Sequence, residues 1–468
     1  MLRLQTVVLE SCGGPSLAKL LEVLPEGGRP VLLDSSDGSG WSLLAWDPDC
    51  VLEGNLTQNE DSSEAWPLAK QDPAQLLEEI SSKEIWEPAS GLPPEAWSGG
   101  WIGWFSFECG HAWEAFPWAK KSSTQLPDFS FARYRKAIAQ SPDGTLFLCY
   151  AQDMGHENSQ ETSHLLNCFH LMLEETESIE DSLHEASSPI LGPLISHSSP
   201  VSFQKRVSKL RDWIGEGELF QANLSHAMEA ECLQPPRNLY SHVRREQSTS
   251  MSAYWEDEQG HAMLSWSPER FLQVDGEYLQ TRPIKGTAPR GLNELDDENI
   301  ALALEKNEKE RAELTMIVDM ARNDLGRVAQ IGKVRVRSSG EVERFSTLHH
   351  RTAVIEAEWN PSDGIASLFR ATYPPASVTG APKVRALQAI SELEEETRGV
   401  YCGSFGIWQP GPNRGDFSVL IRTAIWSDQK LHLRVGAGIV WDSDPKTEWN
   451  ETLLKARYLE KAATLLCS

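Results

Sequence analysis

The order in which this chain lays out its structural signals is its tightest constraint. Short β-type runs and helical periods follow one another without regular alternation. A doubly wound parallel sheet needs strand and helix to alternate, because each parallel connection returns through a crossover. The irregular order therefore predicts an α+β fold. Up to about residue 150, RPVLLD, DCVLEGN and GTLFLCYAQ read as strands, separated by Gly, Pro, Asp and Ser clusters that mark turns. The most aromatic stretch, Gly99 to Trp118, reads as core packing in which glycines let strands and rings approach closely.

From Asp153 to about Pro200 the composition shifts to Glu, Ser, His and Asn. An amphipathic piece at Leu165 to Leu173 and a Ser/Pro-rich end read as a bridging helix and linker. The chain thus divides into an N-terminal region (1–152), the bridge (153–200) and a second region (201–465). In the second, Val207, Leu210, Trp213 and Ile214 keep a helical period, and strands are expected at Ala262–Trp266, Arg270–Val274, Val334–Val336, Val419–Trp426 and Leu431–Val435. One long helix is expected from about Asp296 to Leu325, another at Ala381–Leu393, and a last one from Pro445 to the end.

A formal charge of -25, from 43 Lys+Arg against 68 Asp+Glu, argues against binding nucleic acid or an anionic membrane, since phosphate attraction needs basic surface. An anionic ligand must then meet a local basic pocket or a bound cation. No apolar run approaches the roughly 18 residues of a membrane helix, and the first residues lack the pattern of a signal peptide. The cytoplasm is the expected compartment. Eight scattered cysteines without CxxC pairs are read as reduced packing residues.

Four constellations could carry chemistry. Glu310/Glu313 and Glu448/Glu451 are two Glu-x-x-Glu spacings within helices, where residues three apart share a face. Brought together they would suit a hard divalent ion such as magnesium, although the mixed charges from Glu305 to Glu310 equally suit a solvated helix face. TRPIKGTAPRG (Thr281 to Gly291) holds Lys285 where a tight, partly dry turn would ease loss of its proton. VGAGIV (Val435 to Val440), following a strand-like segment with Arg422, offers glycine amides and a guanidinium to a carboxylate. YPPASVTGAPKVRALQ (Tyr373 to Gln388) places hydroxyls and free amides at a helix start, fit for an anion or for a plain cap.

In this order, the segments resemble the chorismate-utilising enzymes, the family of the first components of anthranilate synthase and aminodeoxychorismate synthase and of the isochorismate synthases. The match is carried by SPERF (Ser267 to Phe271), PIKGT (Pro283 to Thr287), ERAELTMIVDMARNDLGRV (Glu310 to Val328), SVTGAPKVRA (Ser377 to Ala386), YCGSFG (Tyr401 to Gly406), VLIRTA (Val419 to Ala424), GAGIVWDSDP (Gly436 to Pro445) and EWNETLLKAR (Glu448 to Arg457). VLLDS (Val31 to Ser35) and GGWIGWFSFECG extend it more loosely into the N-terminal region. The resemblance implies a large antiparallel β core of two packed sheets flanked by helices, as in anthranilate synthase component I. It also implies a chorismate-binding site with magnesium held by Glu310, Glu313, Glu448 and Glu451, so that a dianionic substrate is received through a cation.

Within that family, anthranilate synthases usually carry alanine at the PIKGT lysine and aminodeoxychorismate synthases carry lysine. The resemblance thus implies amination of chorismate at ring carbon 4, on the route to 4-aminobenzoate and folate. Lys285 would be the covalent nucleophile, Glu269 the general acid/base and His350 a further catalytic residue, although TLHHRTAV departs from the family's His-Leu-Val-Ser after His350. Asn223, Thr287, Ser377, Tyr401, Arg422, Gly436 and Gly438 would hold the substrate. No Gly-x-Cys-x-Gly elbow is present, so ammonia is expected from a separate glutamine amidotransferase subunit or from solution, and aromatisation from a separate aminodeoxychorismate lyase. Anthranilate synthase component I, isochorismate or salicylate synthase, and an inactive chorismate-fold binding protein are the alternatives. Intact Lys285, Glu269 and the four glutamates count against the last.

Overall fold

The computed structural model describes residues 2–11, 15–59, 65–86, 91–118, 126–153, 159–179, 191–344 and 348–464. The N-terminal region supplies β1 (Leu2–Ser11), α1 (Leu17–Val23), β2 (Val31–Asp34), β3 (Ser42–Ala45), β4 (Cys50–Gly54), α2 (Pro73–Ser81), β5 (Glu84–Trp86), β6 (Gly100–Phe105), β7 (Phe129–Tyr134), β8 (Lys136–Gln140) and β9 (Leu146–Asp153). The bridge contains α3 (Ser159–Ile179) and β10 (Ile195–Ser196).

The second region continues with α4 (Pro200–Gly215), β11 (Gln221–Glu231), α5 (Pro236–Glu246), β12 (Met251–Glu256), β13 (Ala262–Ser267), β14 (Arg270–Asp275), β15 (Tyr278–Arg282), β16 (Ile284–Pro289), α6 (Glu294–Lys306) and α7 (Glu308–Gly326). It closes with β17 (Arg335–Arg344), β18 (Leu348–Glu358), α8 (Gly364–Thr372), β19 (Gly380–Ala381), α9 (Lys383–Leu393), β20 (Ser404–Gln409), β21 (Arg414–Val419), β22 (Thr423–Ser427), β23 (Lys430–Ile439) and α10 (Pro445–Thr464).

The expected α+β architecture is the one observed, with two sheets and flanking helices. A 13-stranded sheet runs β10-β11-β23-β22-β13-β12-β2-β3-β8-β9-β1-β5, with β19 also on β11. A 10-stranded sheet runs β16-β18-β15-β14-β21-β20-β6-β7-β4, with β17 also on β18. Pairing is antiparallel except for β1 with β5. Strands from before and after the bridge share both sheets, as β2 pairs with β12 and β6 with β20. The sequence divides at 153–200, but the sheets run across that division.

The aromatic stretch packs as its glycines suggested. All six residues of β6 are buried, and Trp104 meets Trp255 of the other sheet edge-on with ring centroids 4.3 Å apart. At Gly103 an added Cβ would lie 1.9 Å from the Ser130 carbonyl oxygen, so only glycine permits that strand contact. Among the described residues Cys50, Cys109, Cys149, Cys232 and Cys402 form no disulfide, while Cys12 and Cys467 lie outside them.

Four local expectations are corrected. The single helix over Asp296 to Leu325 is two helices, because Asn307 leaves helical geometry (φ -66, ψ 103) and its side chain caps α7 by accepting from the Glu310 N–H at 3.2 Å. Val419 to Trp426 is the end of β21, a three-residue crossing and the start of β22, and these strands belong to different sheets. Lys285 stands on strand β16 beside a register shift, not in a turn. Gly436 and Gly438 lie within β23, not after it.

Candidate active site

Two of the places where the chain passes between the sheets are neighbours, and each carries a predicted site residue. Glu269 lies between β13 and β14, and Arg422 between β21 and β22. The crossings are tied together: the Val419 N–H donates to the Glu269 carbonyl at 3.0 Å, the Trp266 N–H to the Arg422 carbonyl at 3.1 Å, and the Ser267 hydroxyl to the Val419 carbonyl at 2.6 Å. Arg422 adopts φ 51, an uncommon conformation for a non-glycine residue. Its Nη1 is buried without a hydrogen-bond partner among the described residues. An unsatisfied buried guanidinium is costly, and a carboxylate would satisfy it bidentately.

Lys285 reaches from the smaller sheet to the larger. Its Nζ lies 3.8 Å from the place a Cβ would occupy on Gly438. Burial lowers its pKa below the ordinary lysine value, opposed by the nearby charges of Glu313, Glu269 and Glu451. Glu269 is 4% exposed, and burial pushes its carboxyl up to about 7 against a hydrogen bond from Ser377, the charge of Lys285 and the Ile284 N–H. Glu269 and Ser377 line, with Phe271, Leu272, Ile317 and Asp324 among others, a cavity of about 20 Å³.

His350 pairs with Thr287 across β16 and β18. Burial, with the Arg422 charge, holds its imidazole down to about 4, so it is neutral near pH 7. The Thr287 side chain lies outside the described residues. On the larger sheet, Asn223 pairs with Gly438, and its Nδ2 donates to the Tyr401 hydroxyl at 3.5 Å. A Cβ on Gly436 would fall 2.7 Å from that hydroxyl and 3.1 Å from Asn223 Oδ1, so glycine lets the two polar groups converge on the strand. Ser377 sits in a 3-10 turn, Ala376–Val378.

Glu313 of α7 and Glu451 of α10 act on Lys285 through their charges; Glu310 stands on α7 and Glu448 on α10 with them. Glu310 packs so closely on Gly286, at φ +82, that an added Cβ would meet its Oε2 at 2.1 Å. Among the described residues no three acidic, histidine or cysteine side chains converge as a ready-made metal site. The donor set, hard carboxylate oxygens from two helices, would fit magnesium in kind.

Two residues escaped the sequence reading. Lys455, four residues after Glu451, donates to the Glu451 carboxylate at 2.8 Å and to the Gly436 carbonyl at 2.9 Å; its i,i+4 spacing was the available signal. Gln221, in the same QANLS run as Asn223, is 2% exposed. Its Nε2 lies 2.6 Å from a Cβ position on Gly438, and its Oε1 has no partner among the described residues. Only the pairing of β11 with β23 places it beside Lys285.

Known proteins share both this architecture and these motifs. Residues 28–461 match the family model of the chorismate binding enzymes. Anthranilate synthase component 1 of Lactococcus lactis is 31% identical over 444 residues, covering 93% of this chain and 95% of that protein. Aminodeoxychorismate synthase component 1 of Bacillus subtilis is 31% identical over 443 residues, covering 93% and 92%. The crystal structure of anthranilate synthase component I from Streptococcus pneumoniae superposes with a TM-score of 0.76 at 27% identity, covering 90% of this chain and 92% of that one. The chain belongs to the chorismate binding enzyme family. Within it, the chain is a chorismate-utilising enzyme of the anthranilate synthase component I and aminodeoxychorismate synthase component I group.

Proposed function

We propose that the chain aminates chorismate at ring carbon 4, giving 4-amino-4-deoxychorismate, as the first component of an aminodeoxychorismate synthase. The observation that carries this is Lys285: an amine of lowered pKa near a carboxyl of raised pKa, at the position where anthranilate synthases usually hold alanine.

Neutral Lys285 Nζ attacks ring carbon 2, the double bonds shift, and the carbon 4 hydroxyl leaves as water with the proton of Glu269. Ammonia then adds at carbon 4, the double bonds shift back, and the lysine nitrogen leaves carbon 2. A proton lost by the new ammonium passes to Glu269 or neutral His350. One hard substitution becomes two easier ones. Arg422, with Asn223, Tyr401 and the β23 glycines, receives the enolpyruvyl carboxylate, and Ser377 orients Glu269. Thr287 stands with the substrate-binding group through its place on β16. Beside Lys285, Gln221 offers a neutral amide, which can accept a hydrogen bond but cannot deprotonate water; that supports ammonia over water as the nucleophile.

Magnesium, when bound, would neutralise the ring carboxylate of chorismate. Glu310, Glu313, Glu448 and Glu451 would hold it. Ammonia would come from a separate glutamine amidotransferase subunit, and a separate aminodeoxychorismate lyase would release 4-aminobenzoate. Within this reading the protein works in the cytoplasm. Among the described residues, no helix is long and apolar enough to cross a membrane.

The deciding experiment is product analysis by chromatography and mass spectrometry after incubation with chorismate, magnesium and ammonium at alkaline pH, with and without added lyase. 4-Aminobenzoate formed only with the lyase is the expected result. Anthranilate or isochorismate would reassign the chain to another member of the family, and no turnover at all would favour an inactive chorismate-binding protein.

A further inference from the structure

Arg351 follows His350 on β18 at the position where the family's His-Leu-Val-Ser run has leucine, and it is 3% exposed. The hydrogen bonds of this buried guanidinium run to backbone carbonyls: Nε to Gly340 at 3.0 Å, Nη1 to Asn307 at 3.1 Å and Nη2 to Glu305 at 2.7 Å. Glu305 and Asn307 bracket the break between α6 and α7. The last carbonyls of a helix lack intrahelical partners and carry the negative end of its dipole, so a cation there satisfies both needs. A planar fork also sets direction, which an ammonium does not.

The break has consequences one turn on. Asn307 caps the Glu310 N–H, Glu310 lies against Gly286, and Glu313 faces Lys285 electrostatically. Room for the guanidinium is made by Gly340 in a left-handed bulge (φ +121), where a Cβ would stand 3.2 Å from Arg351 Nε and 3.2 Å from Leu314 Cδ2.

We propose that Arg351 is a positioning residue for the metal-binding helix: by clamping the α6–α7 break it phases Glu310 and Glu313 against Lys285, and so sets the affinity for a divalent cation. This rests on reading the four glutamates as the cation site.

The test is a Mn2+ titration of the full chain with chorismate present, followed by electron paramagnetic resonance and paired with melting curves. Arg351→Leu is expected to bind Mn2+ about tenfold more weakly, the scale seen when groups that orient metal ligands are removed. Arg351→Lys recovers part of the loss, since it keeps the charge but not the fork. Asn307→Ala shifts affinity in the same direction through the cap, and decides the matter if Arg351→Leu does not fold. Unchanged Mn2+ affinity in folded Arg351→Leu and Asn307→Ala, with only a lower melting temperature, overturns the positioning role and leaves the cation site standing. Failure of the wild-type chain to bind Mn2+ overturns the cation site and this inference together.

Discussion

Glu269 and Lys285 stand near enough for each charge to act on the other, and burial moves their proton affinities towards each other. A glutamate held up to about 7 is protonated, and so a competent acid, below that pH. At fixed free ammonia, the contribution of Glu269 to turnover should therefore fall as pH rises through about 7, set against the rise in neutral Lys285. Glu269→Gln should lower kcat by about 10²–10⁴-fold and flatten that limb, as pH profiles of both proteins would show. The same shift has a stability sign. With a folded pKa of about 7 against the ordinary 4.5, the folded chain holds a proton that the unfolded chain has released. That contribution is complete below about pH 4.5 and is lost as pH rises through about 7, roughly 3 kcal/mol at most. Glu269→Gln should thus melt above the wild type at pH 8 and near it at pH 5; equal melting at both would contradict the burial argument. Lys285→Ala should cut amination severely, and unchanged turnover would remove the covalent step. The added Cβ of Gly438→Ala presses on the flexible end of Gln221 at 2.6 Å and reaches Lys285 Nζ at 3.8 Å, so it should raise the KM for chorismate with little change in Tm. A large fall in Tm would show that the glycine serves packing instead.

Helix and strand boundaries decide which side chains meet. The Glu-x-x-Glu spacing was legible because three residues return a helix to one face. The interruption at Asn307 was not, since the apolar period carries across it and the cap depends on one side chain and on Arg351 arriving from β18. The strand nature of PIKGT and GAGIV was hidden likewise: their glycines resemble turns in sequence, yet they tolerate close approach by Glu310, Tyr401 and Gln221. Glu448→Gln removes one hard oxygen charge from α10. It should weaken the magnesium dependence and the affinity for chorismate together, read from half-saturation curves for each; loss of neither would exclude the carboxylate site.

At the scale of the whole molecule, strands from both sides of the bridge interleave. Removing residues 1–190 would strip β2 from β12 and β6 from β20, and Trp255 would lose Trp104. The remaining chain should fail to give a cooperative melt or a monodisperse species by size-exclusion chromatography, because sheet edges and buried aromatic surface become exposed; a stable fragment that still binds chorismate would refute this. Sequence alone determined the α+β class, the turn-rich strands, the order of the motifs and the residue types of the site, because these follow from local periodicity and from chemistry written in short runs. The tertiary structure alone decided that Glu269 and Arg422 stand at two bonded crossings between sheets, that Gln221 and Lys455 come against the glycines of β23, and that Arg351 bonds to the carbonyls at the α6–α7 break. Those are contacts between segments tens to hundreds of residues apart, set by strand pairing and packing, to which no local pattern is sensitive.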